Sequence, residues 1–477
     1  MYICTSIHIK KGGNTLFSED LLLTNETGKK LYNQYAKDLP IIDYHCHLSP
    51  KAIYENNVFE DLGELWLSGD HYKWRAMRIF GIDERLITGD SSFEEKFMAF
   101  AEIMPKLIGN PIYIWCALEL KRYFNIDEPL SSSNAEEIFK KTKKIIEENN
   151  ITPQYIMEKS NVELICTTDD PIDDLNYHIK IKNSKNLKTK VIPAFRPDKA
   201  FYIENSSYGD YINLLEKCTD IKVKTFKELI LALEKRLLFF KSLGSMVNDN
   251  GIAKLEWAPY TEEEVENIFK KAINKEEISI EEANMYKSAF LIEMAKLYYE
   301  YGFVMQFHIG AYRNANTKMF NKLGPDTGFD CTDDKVPVKD VGMFLDALNS
   351  LGCLPKTILY PLDMSQFETF ATLAGSFYSN TKGLIQLGAP WWFNDQVYGI
   401  KKQFESIANL YPISLSVGML TDSRNFSAYP RHELYRRVLC EFFGELIDRH
   451  EYFSPEEEVG KIIQDICYYN AKEYFCI

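Results

Sequence analysis

Short apolar runs alternate with stretches of helical periodicity along most of the chain. Eight runs have the near-continuous hydrophobic character of strands covered on both faces: residues 39–45, 162–168, 190–196, 253–257, 304–308, 356–360, 383–388 and 413–422. Four of them end in a residue able to do chemistry, namely His45, Arg196, His308 and Asp422. Eight strands with helices between them predict an α/β fold, a (β/α)8 TIM-type barrel with its active site at the C-terminal strand ends. A doubly wound open sheet is the competing architecture for the same pattern.

The gap between the first two runs far exceeds a βα loop of a few residues. Helical periodicity over 93–107, 135–149 and 153–160 predicts a helical insertion at about 51–160, above the barrel mouth. No flexible linker borders it, so residues 1–477 are read as a single domain. The gap over 258–303 also reads as helical, and a last helix is expected from Pro455, with Ser454 as N-cap and Glu457 completing a capping box.

Composition narrows the function. With 45% hydrophobic and 26% charged residues among 477, general disorder is excluded. The 69 acidic against 55 basic residues give a net charge of -14, and no basic stripe with interleaved aromatics is present, so nucleic-acid binding is not expected. An anionic substrate would have to be held by local arginines against this field. No apolar stretch approaches the roughly 20 residues of a membrane span. Residues 1–11 are too short and too polar for a signal peptide. The ten cysteines include no C-x-x-C pair, which fits reduced thiols and a cytoplasmic location. Glycine-rich phosphate signatures are missing.

The sharpest local feature is Asp43-Tyr44-His45-Cys46-His47 at the end of the first run. Strand alternation turns His45 and His47 to one face and Cys46 to the other. Two imidazoles there can chelate a divalent metal, with a chance H-x-H as the competing explanation. Asp422 ends the eighth run, which adjoins the first in a closed barrel, and would complete a two-histidine, one-carboxylate site with open positions. It would equally serve as a helix N-cap. His308 reads as a substrate contact or a support for the metal ligands, or as a satisfied core histidine. Arg196 and Arg424 offer forks for carboxylates, or simple surface ion pairs. The cluster Asp70-His71-Tyr72-Lys73-Trp74-Arg75 is costly unless solvated or functional, and Trp391-Trp392 would wall a sugar site or simply pack.

Taken together, residues 40–50, 70–78, 195–200, 305–316, 323–330, 391–396 and 418–440 resemble the uronate isomerases (glucuronate isomerase) of the amidohydrolase superfamily, in the family's order and over nearly the whole chain. The resemblance implies a distorted (β/α)8 barrel that interconverts glucuronate with fructuronate and galacturonate with tagaturonate. It implies one divalent ion on His45, His47 and Asp422, zinc first, with manganese or cobalt as alternatives. Tyr72, Arg196, His308, Trp391 and Arg424 are then expected around the sugar acid, and His71 is assigned with them. The pattern departs from the family at Glu256-Trp257, taken as the fourth-strand position, and at Tyr113-Ile114-Trp115. For an enediol route, Asp422 is the candidate base for ring opening, Tyr72 the candidate for the C2 proton, and His308 a further acid/base. A homo-oligomer is expected. The rivals are a metal-dependent hydrolase such as a sugar lactonase, with Glu256 or Lys254 bridging two metals, and a silent sugar-acid binding protein.

Overall fold

The computed structural model describes residues 17–184 and 187–477, so residues 1–11 and Cys4 lie outside the described residues. The core is α/β with parallel sheets. Strands β1 (Ile41–Asp43), β2 (Val162–Asp169) and β3 (Lys190–Phe195) form one sheet in that order. A second contains β4 (Asn250–Ile252), β5 (Met305–Ile309), β8 (Thr357–Pro361) and β9 (Ile385–Leu387). Between β5 and β8 a short antiparallel ribbon pairs β6 (Ala311–Tyr312) with β7 (Cys331–Thr332). The two parallel sheets are stitched together: the Asp249 N–H donates to the Phe195 carbonyl (3.0 Å), and Val247 bridges to Val304. All five residues of β5 and of β8 are buried, as helices on the sheet faces require.

Two expected strands differ. The fourth lies upstream of 253–257, because its sequence there is polar: Asn248, Asp249 and Asn250 are wholly buried, and a hydrophobic-run criterion passes over them. They are held by hydrogen bonds, Asn248 Nδ2 to Asn250 Oδ1 (2.7 Å) and Asn250 Nδ2 to Asp198 Oδ1 (2.9 Å). Residues 253–257 are loop, and Glu256 is exposed, accepting from Asn284. The eighth expected run, 413–422, forms no strand; Ile413–Leu415 is a 3-10 turn. Gly418 follows with φ +76°, where a Cβ would collide with the Ile466 carbonyl, so the chain bends instead of entering a ladder. It still returns to the sheet: the Asp422 N–H donates to the His45 carbonyl (3.2 Å), and the His47 N–H to the Ser423 carbonyl (2.9 Å).

Between β1 and β2 the chain is helical from Pro50–Glu55 to Pro153–Lys159, with Trp66, Phe97, Phe100 and Trp115 buried in one cluster. The last expected helix begins one residue later than its sequence implies. It spans Glu456–Gln464, capped by Pro455 without a side-chain hydrogen bond, so the Ser454 capping box does not form.

Helix His71–Ile79 positions two of the site candidates. Its N-cap Asp70 accepts from the Tyr72 N–H (3.0 Å) and the Lys73 N–H (3.2 Å), while its other oxygen pairs with Lys73 Nζ at 2.7 Å. Both residues are buried. Asp70→Ala removes a cap and leaves an unpaired buried ammonium, which is expected to cost roughly 3–5 kcal/mol. A clear fall in the urea midpoint, with Asp70→Asn falling less because it keeps the cap acceptor, is the expected outcome.

Candidate metal centre

The extended backbone of β1 continues past Asp43. Cys46 donates its N–H to the Cys166 carbonyl of β2 (2.8 Å), whereas His45 and His47 bond to residues 422–423 on the other side. The two imidazoles therefore share a face, and the Cys46 side chain is buried away from it. Asp43 fastens the returning segment, accepting from the Thr421 N–H (2.8 Å) and hydroxyl (2.6 Å). The next residue, Asp422, has φ +45°, a left-handed conformation that a short polar side chain tolerates.

This geometry brings His45, His47 and Asp422 together. His45 Nε2 lies 3.1 Å and His47 Nε2 3.0 Å from Asp422 Oδ1. Donor atoms of the three residues fall within 4.8 Å of one another. Separations near 3 Å suit donors that each sit about 2.0–2.2 Å from one cation, and two imidazoles with a carboxylate match a borderline ion such as zinc. Burial holds His47 down to about 4, so its imidazole is neutral and free to ligate at neutral pH. Burial would raise Asp422, but hydrogen bonds from both histidines hold it well below the usual carboxylate range. The residues present fit a divalent cation.

Behind them lies a group that sequence reasoning missed. Asp249, wholly buried, accepts from His308 Nδ1–H (2.7 Å) and pairs with Arg196 Nη2. Burial would raise its carboxyl, yet Arg196, His45 and His308 hold it far below the ordinary range. With Nδ1 donating to Asp249, His308 Nε2 carries a lone pair; that atom is buried with no hydrogen-bond partner. His308 also stacks on Tyr360 at 4.3 Å and meets the Trp391 ring at 4.7 Å. Asp249 is the acidic group immediately before β4, near the position that Glu256-Trp257 was expected to fill.

His47, His71, Tyr72, Arg196, His308, Trp391, Asp422 and Arg424 line one cavity, joined by Arg313, Asp326 and Trp392. His45 is fully buried, its Nε2 3.1 Å from the lining Asp422. His71 stacks on Tyr72 at 4.7 Å. The Arg431 guanidinium lies 3.8 Å over the Trp115 ring and 5.2 Å over Tyr72, 3.4 Å from Asp395. Burial and the Asp422 charge push the Tyr72 phenol well above 10, with Arg431 opposing. Neither arginine fork expected for substrate is idle: Arg196 is paired with Asp249, and Arg424 Nη2 lies 3.0 Å from Asp326. Arg313, Asp326, Asp395 and Arg431 all fall within stretches that carried the family resemblance, where the signal was present without a role. Asp249 lies outside every one of them. Its signal was the acidic residue flanked by two asparagines directly after Val247.

The Glucuronate isomerase family model matches residues 14–475. The uronate isomerase of Caldicellulosiruptor bescii is 49% identical over 458 residues, spanning 96% of this chain and 98% of that protein. The crystal structure of uronate isomerase from Thermotoga maritima superposes with a TM-score of 0.91 at 33% identity, covering 96% of this chain and 99% of that one. Glucuronate isomerase from Caulobacter crescentus gives 0.90 at 26% identity, over 97% and 98% of the two chains. End-to-end matching of sequence and of backbone leads to one conclusion: the chain belongs to the glucuronate isomerase family.

Proposed function

We infer that the hexuronate isomerisation of this family takes place in the cavity beside His45, His47 and Asp422, with these three residues holding one divalent ion, zinc first and manganese or cobalt as alternatives. The observation that carries this reading is the convergence of two imidazoles and a carboxylate on one point, in a cavity ringed by three arginines within an acidic chain. The substrates are glucuronate and galacturonate, and the products fructuronate and tagaturonate. When bound, the cation supplies Lewis-acid polarisation of the sugar oxygens.

The protein's own groups divide the remaining work. Arg424 and Arg196 offset the negative charge of the substrate carboxylate and of the developing enediolate. Asp422 accepts the anomeric C1 hydroxyl proton as the C1–O5 bond breaks, and the ring oxygen takes up a proton to become the C5 hydroxyl. Tyr72 faces the C2 proton; only its phenolate can accept it, and the Arg431 guanidinium 5.2 Å over its ring favours that form. His308 Nε2, an acceptor by virtue of Asp249, exchanges a proton with a sugar oxygen. Trp391 and His71 wall the sugar. The hydrolase alternative is not favoured: Lys254 and Glu256, its bridging candidates, do not line the cavity.

The finer architecture is proposed on the same footing. Seven parallel strands in two stitched sheets, with residues 422–423 hydrogen-bonded back to the end of β1, support a distorted (β/α)8 barrel. The chain is read as a single domain with a helical insertion at about 51–160. Among the described residues no helix is long and apolar enough to cross a membrane. The proposed setting is cytoplasmic, with a small sugar acid as partner, no nucleic acid and a homo-oligomeric state.

Chelation is expected to abolish turnover of both hexuronates, and added zinc, manganese or cobalt to restore it. His47→Ala is expected to lose at least 10³-fold in kcat with an unchanged circular dichroism spectrum; wild-type turnover would refute the ligand assignment. Tyr72→Phe should lower kcat about 10²–10⁴-fold with metal content intact. In tritiated water a single turnover should leave label on the sugar carbon that receives the proton, and its absence from C1 and C2 would exclude the enediol route.

A further inference from the structure

A second cavity opens at the other end of the strands. Its volume is about 480 Å³, within the roughly 300–1,000 Å³ of small-molecule sites. Leu39 and Ile41 line it at the start of β1, and Lys159, Ser160 and Asn161 line it just before β2. His45 and His47 lie past the opposite end of β1, and no residue lines both this cavity and the one beside Asp422. The lining is cationic. Lys37, Arg122, Lys159 and Arg436 face Asp38 and Glu433, four positive charges against two in a chain of net charge -14. Glu433 is already engaged, with Arg122 and Arg437 each 2.8 Å away. Among the described residues no carboxylate pairs with Lys37, Lys159 or Arg436.

Arg436 carries the argument. It projects from helix Pro430–Asp448 and is 5% exposed. Its Nη1 donates to the Leu39 carbonyl (2.8 Å) and its Nη2 to the Pro40 carbonyl (2.7 Å), both neutral acceptors. A guanidinium taken out of water without a counter-charge is costly, and burial lowers its pKa accordingly. An oxyanion in the cavity would supply that counter-charge in a charge-assisted hydrogen bond. Hydroxyls stand around the same space. Tyr123 Oη and Ser160 Oγ lie 2.8 Å apart, the Tyr429 hydroxyl is buried with no hydrogen-bond partner, and Tyr32 completes the wall.

We propose that this cavity is a second, non-catalytic binding site for a small hydroxylated oxyanion, a sugar acid or a sugar phosphate, with Arg436, Lys37 and Lys159 holding the anionic group. The hydroxyls of Tyr123, Ser160 and Tyr429 face the polyol. Carboxylate and phosphate share the chemistry that the three cations recognise. The occupant lies away from His45, His47 and Asp422 and is not turned over. Its effect is on the fold: Arg436 grips the two carbonyls that lead into β1, so neutralising its charge steadies the entry to that strand. A ligand that binds only the folded chain raises its stability by mass action.

The test is calorimetric titration of the full chain with D-gluconate, D-glucose 6-phosphate and, as the uncharged control, D-glucitol. Arg424→Gln discounts any anion bound beside the metal centre. Lys37 and Lys159 are exposed, so the double variant Lys37→Ala/Lys159→Ala keeps the fold even if Arg436→Gln does not. The expected result is that one or both anions bind and glucitol does not. That binding should change less than about twofold in Arg424→Gln and weaken at least about tenfold in the double variant. Gluconate alone marks a carboxylate site, glucose 6-phosphate alone a phosphate site, and either supports the proposal. Binding of neither anion would overturn it, as would binding that Arg424→Gln abolishes and the double variant leaves unchanged. Both of these results leave the hexuronate reading standing.

Discussion

The candidate metal centre depends on one return of the chain, in which residues 421–423 close against the end of β1. Two backbone hydrogen bonds and the buried Asp43 clamp on Thr421 hold that contact. Asp43 is entirely shut off from water, so losing its partners would strand a buried carboxyl. The clamp places Asp422 directly opposite His45 and His47, and the left-handed turn at Asp422 aims its carboxylate at their Nε2 atoms. Without this closure the two imidazoles would lose the carboxylate they share, leaving His45 only Asp249, 4.0 Å from its Nδ1.

Charge inside the site is arranged in pairs. Lys73 with Asp70 takes two ions out of water and Arg196 with Asp249 takes one completely, an arrangement that rarely stabilises a fold by itself. Their value here is positional. Asp249 stays ionised throughout the ordinary pH range, and so keeps the His308 proton on Nδ1 and the lone pair on Nε2. Lys73 and Asp70 anchor the first turn of the helix that presents His71 and Tyr72. The same logic places Arg196, Arg313 and Arg424 around one cavity of an acidic protein, where the sugar acid is proposed to sit.

Local rules made part of this legible in the amino-acid sequence. Strand alternation is strictly periodic, so His45 and His47 could be assigned to one face from their spacing alone. Most parallel strands announced themselves as apolar runs, and β2, β5 and β8 lie within a residue of where those runs fall. The fourth strand did not, because Asn248-Asp249-Asn250 is buried by hydrogen bonding instead of hydrophobicity. The segment over 413–422 reads as a strand but bends at Gly418, whose constraint comes from Ile466, a residue far away in sequence. The pairing of Asp326 with Arg313 and Arg424 was equally out of reach, since the arginines come from other segments. What escaped was decided by tertiary contact, which no periodicity records.

Anomalous scattering from crystals of the zinc-loaded protein tests the central claim most directly. One peak is predicted, about 2.0–2.2 Å from His45 Nε2, His47 Nε2 and an Asp422 carboxylate oxygen. A cation bound instead between His308 and Asp249, or none in the cavity at saturating zinc, would contradict it.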